Sequence, residues 1–115
     1  MAITTFQGVR DFINKFLTDH SIDVSSAPHM DFWNTMTYDD FVNGSVPGLL
    51  DPTGLPLDVK ILVKGNAKES NLIKILQGPL TVSGQMFPQM PFGGDKMKPE
   101  EIAEIAGWID CGCPQ

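Results

Sequence analysis

Basic residues are scarce in this chain: eight Lys and Arg stand against 14 Asp and Glu, a formal net charge of −6. Affinity for a phosphate backbone rests largely on cationic side chains that displace counterions, so nucleic acid is not an expected partner. No apolar run approaches the ~20 residues that a membrane-spanning helix needs, so insertion into a membrane is not expected either. The opening Met1-Ala2-Ile3-Thr4-Thr5 lacks the basic and then apolar order of a secretory signal. As written the chain is expected in the cytoplasm, or in the periplasm if a signal peptide was removed and Met1 added. HExxH, GxSxG, a phosphate-binding glycine loop and a zinc quartet are all missing, so no motif marks an enzyme.

Cysteine is nearly absent too. The two present stand together as Cys111-Gly112-Cys113. A structural disulfide gains stability with the length of the loop it closes, and a one-residue loop offers almost none, so two free thiols are expected to finish the last helix at the surface. As metal ligands they supply two of the four that structural zinc takes.

What the chain does contain suits one compact domain over residues 1–115: 42% apolar and 19% charged residues are ordinary for a globular protein of this length. Its pattern is helical. Phe6, Val9, Phe12, Ile13, Phe16 and Leu17 predict an amphipathic helix from about Thr5 to Leu17, with Thr4 or Thr5 as N-cap. A short second helix is predicted over Thr37–Asn43, capped by Thr37 and stopped by Gly44. A third begins after Ser70 and buries Leu72, Ile73 and Leu76. In the fourth, Pro99 takes a first-turn position and Glu100 and Glu101 face the positive end of the helix dipole. Ile102, Ile105, Ala106 and Ile109 form its stripe, and Gly112 ends it. Between them, Val46-Pro47-Gly48, Asp51-Pro52-Thr53-Gly54 and Leu55-Pro56 forbid regular structure, while Leu57 to Val63 alternates as a short extended segment. The fold class expected is all-α, about four helices with long irregular loops. Gly8 is read either as a point where the first helix can approach Trp108 or as no more than a weak spot in a surface helical turn.

Four segments, in order, resemble a family. Met90-Pro91-Phe92-Gly93-Gly94 is similar to the Met-Pro-Pro-Gly-Gly loop that carries the distal iron ligand in small bacterial cytochrome c domains of the planctomycete type. Pro99-Glu100-Glu101-Ile102 and Trp108-Ile109-Asp110 resemble that family's terminal helix. Gly65-Asn66-Ala67-Lys68-Glu69-Ser70-Asn71-Leu72-Ile73 resembles its Gly-Asp-Pro-x-x-Ser-x-Leu segment, and Thr37-Tyr38-Asp39-Asp40-Phe41 its short helix after the haem motif. In this register the haem-attachment motif CxxCH falls on Phe16-Leu17-Thr18-Asp19-His20. The histidine stands and both cysteines are gone. A rival register places His29 there, at the cost of a long insertion after the first helix.

The resemblance implies a cytochrome c-like fold in which the first and last helices cross steeply, and a His20/Met90 iron-ligand pair without thioether bonds. Three outcomes follow. Side chains fill the haem volume, with Phe16, Phe87 and Phe92 as pocket aromatics beside Asp19, leaving a haem-free, noncatalytic binding or accessory module for a protein partner. Alternatively, His20 and Met90 hold a noncovalent haem for electron transfer. As a second alternative, the vacated pocket takes another small molecule, with Asp19 and His20 as acid–base groups. The first is the reading adopted, with no cofactor.

Overall fold

The computed structural model describes residues 3–22, 32–50, 52–82, 84–90 and 95–115. Helices dominate it. Five α-helices run in order: α1 (Phe6–Asp19), α2 (Phe32–Thr35), α3 (Tyr38–Asn43), α4 (Asn71–Gln77) and α5 (Pro99–Asp110), with a 3-10 turn at Ala67–Glu69 before α4. The mostly helical expectation holds, with two additions. α2 is a fifth helix, and a two-stranded antiparallel hairpin, β1 (Leu80–Val82) and β2 (Gln85–Phe87), stands where no strand was expected. Its register pairs Leu80 with Phe87 and Val82 with Gln85, turning through Gly84 at φ +80°.

Local chemistry sets the helix ends. Thr5 opens α1, its hydroxyl accepting from the Gly8 N–H at 2.9 Å, and Thr37 opens α3 by accepting from Asp40 at 3.2 Å. Glu101 reaches back to the Lys98 N–H at 2.9 Å and closes the start of α5. α1 extends past Leu17 to Asp19 and ends in a Schellman turn: Ser21 N–H donates to Thr18 and Ile22 N–H to Leu17. The left-handed position in that turn is Ser21, at φ +54°, where glycine is the usual choice.

α5 ends the same way. Gly112, at φ +92°, donates to Ile109, and the Cys113 N–H donates to Trp108. The turn folds the chain back under the helix, so Cys113 is fully buried while Cys111 is exposed. Both thiols are free, as expected, but the expectation that both lie at the surface is corrected for Cys113. The Tyr38 hydroxyl donates to the Cys113 carbonyl, and the Trp108 indole N–H donates to the Pro114 carbonyl at 2.9 Å, fixing the end of the chain.

The core is aromatic at its centre. Phe41 and Trp108 are essentially inaccessible; Phe6 packs on Phe41 with ring centroids 5.1 Å apart and stacks on Trp108 at 6.4 Å, and Phe32 stacks on Phe41 at 6.1 Å. Each such ring buries roughly 150–250 Å², and aromatic pairs of this kind add to the area term. Arg10 joins α1 to α2: its guanidinium covers the Phe6 ring at 4.1 Å and donates to the Trp33 and Met36 carbonyls. The Trp33 indole returns a bond to Asn14 at 2.8 Å.

α1 and α5 therefore meet through Phe6 and Trp108. Gly8 plays no part in that meeting: a Cβ there would touch Thr5 and Ile3 at 3.2 and 3.3 Å. Leu57 to Val63 forms no strand. It runs antiparallel to 44–50 with single bridges at Ser45–Lys60 and Leu50–Pro56, and Val59 and Ile61 turn inward. Pro47, Pro52 and Pro56, without N–H donors, keep these bridges from growing into a ladder.

The segment before α4 is locked to the end of α5. Asp110 accepts from the Ala67 N–H at 2.8 Å, Gly65 N–H donates to the Ile109 carbonyl at 2.9 Å, and buried Ser70 accepts from Val63 N–H at 2.8 Å while its hydroxyl donates to Asn66 O.

Candidate functional site

His20 is the C-cap residue of α1, its N–H donating to the Phe16 carbonyl at 3.1 Å. The Schellman turn behind it fixes where the imidazole lies. One face packs on the Phe16 ring, centroids 4.3 Å apart, and Nδ1 sits 2.8 Å from Asp95 Oδ2. The His20 side chain is one-third exposed and Asp95 is mostly exposed, so the pair stands at the rim of the core.

Asp95 closes the Met90–Gly94 stretch. Met90, half-buried, donates its N–H to the Ile75 carbonyl at 3.0 Å, and Gln89 Nε2 donates to Leu76 O at 2.8 Å, so the stretch starts from α4. At its other end Asp95 reaches α1. Asp95 thus reaches the candidate proximal histidine, whereas the candidate distal methionine is bonded through its N–H to α4.

The remaining sequence-derived residues are dispersed. Phe16 is buried against His20, whereas Asp19 faces solvent and binds Lys15 at 2.6 Å. That bond, with the added pull of the Asp19 charge, raises the Lys15 pKa above the ordinary value. Phe87 is half-buried on β2. Phe92 and His29 lie outside the described residues. Asp95 was not among the expected residues; nothing marks it in the sequence except its place directly after Gly93-Gly94.

A separate cleft of about 430 Å³ opens between the end of α4 and the start of α5, lined by Leu76, Gln89, Met97, Pro99, Ile102 and Ala106. None of His20, Met90, Phe16, Asp19 or Phe87 lines it. Among the described residues, no three His, Cys, Asp or Glu side chains converge as a metal site. Nor is any helix among them long and apolar enough to cross a membrane.

A haem would find two donors of the right kind here. His20 Nδ1 is engaged by Asp95, which is how a second ring nitrogen is commonly oriented for a metal, and Met90 offers a thioether. Phe16 and Asp19 offer no sulfur for covalent attachment, and Phe16 packs against the imidazole itself. No protein-family model, curated protein or solved structure matches this chain.

Proposed function

We propose that this chain is a cytochrome c-like domain that has lost covalent haem and acts as a noncatalytic binding or accessory module for a protein partner. The observation that carries the reading is the use of His20: its ring is packed by Phe16 at 4.3 Å and tied by Asp95 at 2.8 Å, so the former ligand joins the end of α1 to the Met90–Asp95 segment. The aromatic centre built by Phe6, Phe32, Phe41 and Trp108 supports it, because these rings pack on one another and fill the middle of the core. A protein is the partner class that fits. The net charge of −6 repels polyanions, and exposed Leu50 and Leu55 flank one loop as apolar contact points, 53% and 63% accessible.

A second reading has a specific observation behind it. His20 with Nδ1 held by Asp95, and Met90 on the segment that Asp95 ends, would hold a noncovalent haem iron between them. A His/Met-ligated iron supplies one-electron transfer at a raised potential. Small-molecule chemistry at Asp19 and His20 has less support, because Asp19 is engaged with Lys15 and faces away.

Hemin titration separates the two. The module reading expects no sharp Soret band at stoichiometric hemin. The carrier reading expects a low-spin spectrum that His20→Ala abolishes and His29→Ala leaves intact.

A further inference from the structure

Cys111 and Cys113 lie two residues apart on opposite sides of the molecular surface. Cys111 caps α5 in solvent, and Cys113 is fully buried with Sγ 4.0 Å from the Ile109 carbonyl. Cys113 is one of two non-glycine residues with positive φ among the described residues, at +53°. L-residues enter that conformation at a cost, so the packing around Cys113 must hold it there. Its anchors are the bond from its N–H to Trp108, the Tyr38 hydroxyl on its carbonyl, and the burial of its sulfur.

We infer that Cys111 and Cys113 form a redox-sensitive catch: the dithiol holds the C-terminal turn in the core, and oxidation to a Cys111–Cys113 disulfide releases it. Both thiols are free, Cys111 in solvent and Cys113 buried against the Ile109 carbonyl, so bonding their sulfurs requires a side chain to leave its place. Bonding therefore draws Cys113 out. Because the fold stabilises the dithiol, the disulfide costs folding stability by the same amount that folding disfavours the disulfide.

The oxidant is a low-molecular-weight disulfide such as glutathione disulfide. The Cys111 thiolate attacks one of its sulfurs and one glutathione leaves as thiolate, giving a mixed disulfide. When the turn opens, the Cys113 thiolate attacks Cys111 Sγ and expels the second glutathione. Two cysteine thiols are oxidised and one glutathione disulfide is reduced to two thiols. Burial raises the Cys113 pKa, against the smaller opposing effects of the Gly65 N–H and the Lys64 charge, so the closed turn withholds the second nucleophile.

The test treats the purified chain with glutathione disulfide, counts free thiols and bound glutathione by mass, and measures the urea midpoint before and after. The expected product has no free thiol and no bound glutathione, a lowered midpoint, and full recovery with dithiothreitol. Cys111→Ser, which leaves the core untouched, should keep its midpoint under the same oxidant. A glutathione adduct that stays on Cys111 with Cys113 reduced, a chain that resists oxidation altogether, or an internal disulfide with an unchanged midpoint would each overturn the inference.

Discussion

His20 and Asp95 meet at 2.8 Å across 75 residues of sequence, and the contact ties the end of α1 to the segment that follows Met90. Exposed polar contacts contribute little, typically about 0.2–1 kcal/mol in double-mutant cycles. A cycle of His20→Ala and Asp95→Asn should therefore give a small positive coupling, about 0.5 kcal/mol. A coupling of zero would mean that the two residues are neighbours only.

Ser21 occupies the left-handed position that ends α1, at φ +54°. Glycine has no Cβ to strain there, so Ser21→Gly should raise stability by up to about 1 kcal/mol, read as a higher urea midpoint. Ser21→Val should lower it, since a β-branched residue is worst placed at positive φ.

The starts of α1, α3, α4 and α5 were legible because caps and apolar spacing are local, whereas α1 runs two residues beyond its expected end at Leu17. Thr5, Thr37 and Pro99 announce where chains turn helical, and Phe6, Val9, Ile13 and Phe16 repeat with the period of one buried face. What escaped is either too short or too distant. α2 spans only Phe32–Thr35 and each strand three residues, below the length at which periodicity speaks. The two-residue connection Ser83-Gly84 was the available hairpin signal. Asp95 reaches His20 across 75 residues, a contact that no local pattern encodes, and Gly112 marked where α5 stops without showing that Cys113 would turn into the core. Of the candidate site, Phe16 and His20 came from the two ends of the degenerate haem-motif register and their rings do pack together, while Asp19, one position before His20, points to Lys15 on the outer face.

Trp108 is 1% exposed, contacts Phe6 and Phe41, and donates to Pro114. Trp108→Ala should cost about 3–5 kcal/mol, as large aromatic truncations in cores do, measured by urea or thermal unfolding. A loss under half a kcal/mol would place α5 at the periphery.

Cys113 gives the chain a pH dependence with a definite sign. Burial raises its thiol pKa in the folded state, so the unfolded chain loses this proton first as pH rises. The contribution is fully present below the ordinary thiol range and is lost as pH climbs from there through the folded pKa. Stability should fall on the alkaline side more in the parent than in Cys113→Ala, each compared with its own value at neutral pH. Thiol labelling at neutral pH should be biphasic, Cys111 reacting at once and Cys113 only as the turn opens.

The absorbance spectrum of the protein as purified, recorded with its near-ultraviolet circular dichroism, tests the central claim most directly. The account expects a folded, colourless chain: fixed aromatic signals from Trp108, Trp33 and Tyr38, and no Soret band before or after dialysis. A sharp Soret band that survives dialysis and disappears in His20→Ala would contradict it and make the chain a noncovalent haem carrier.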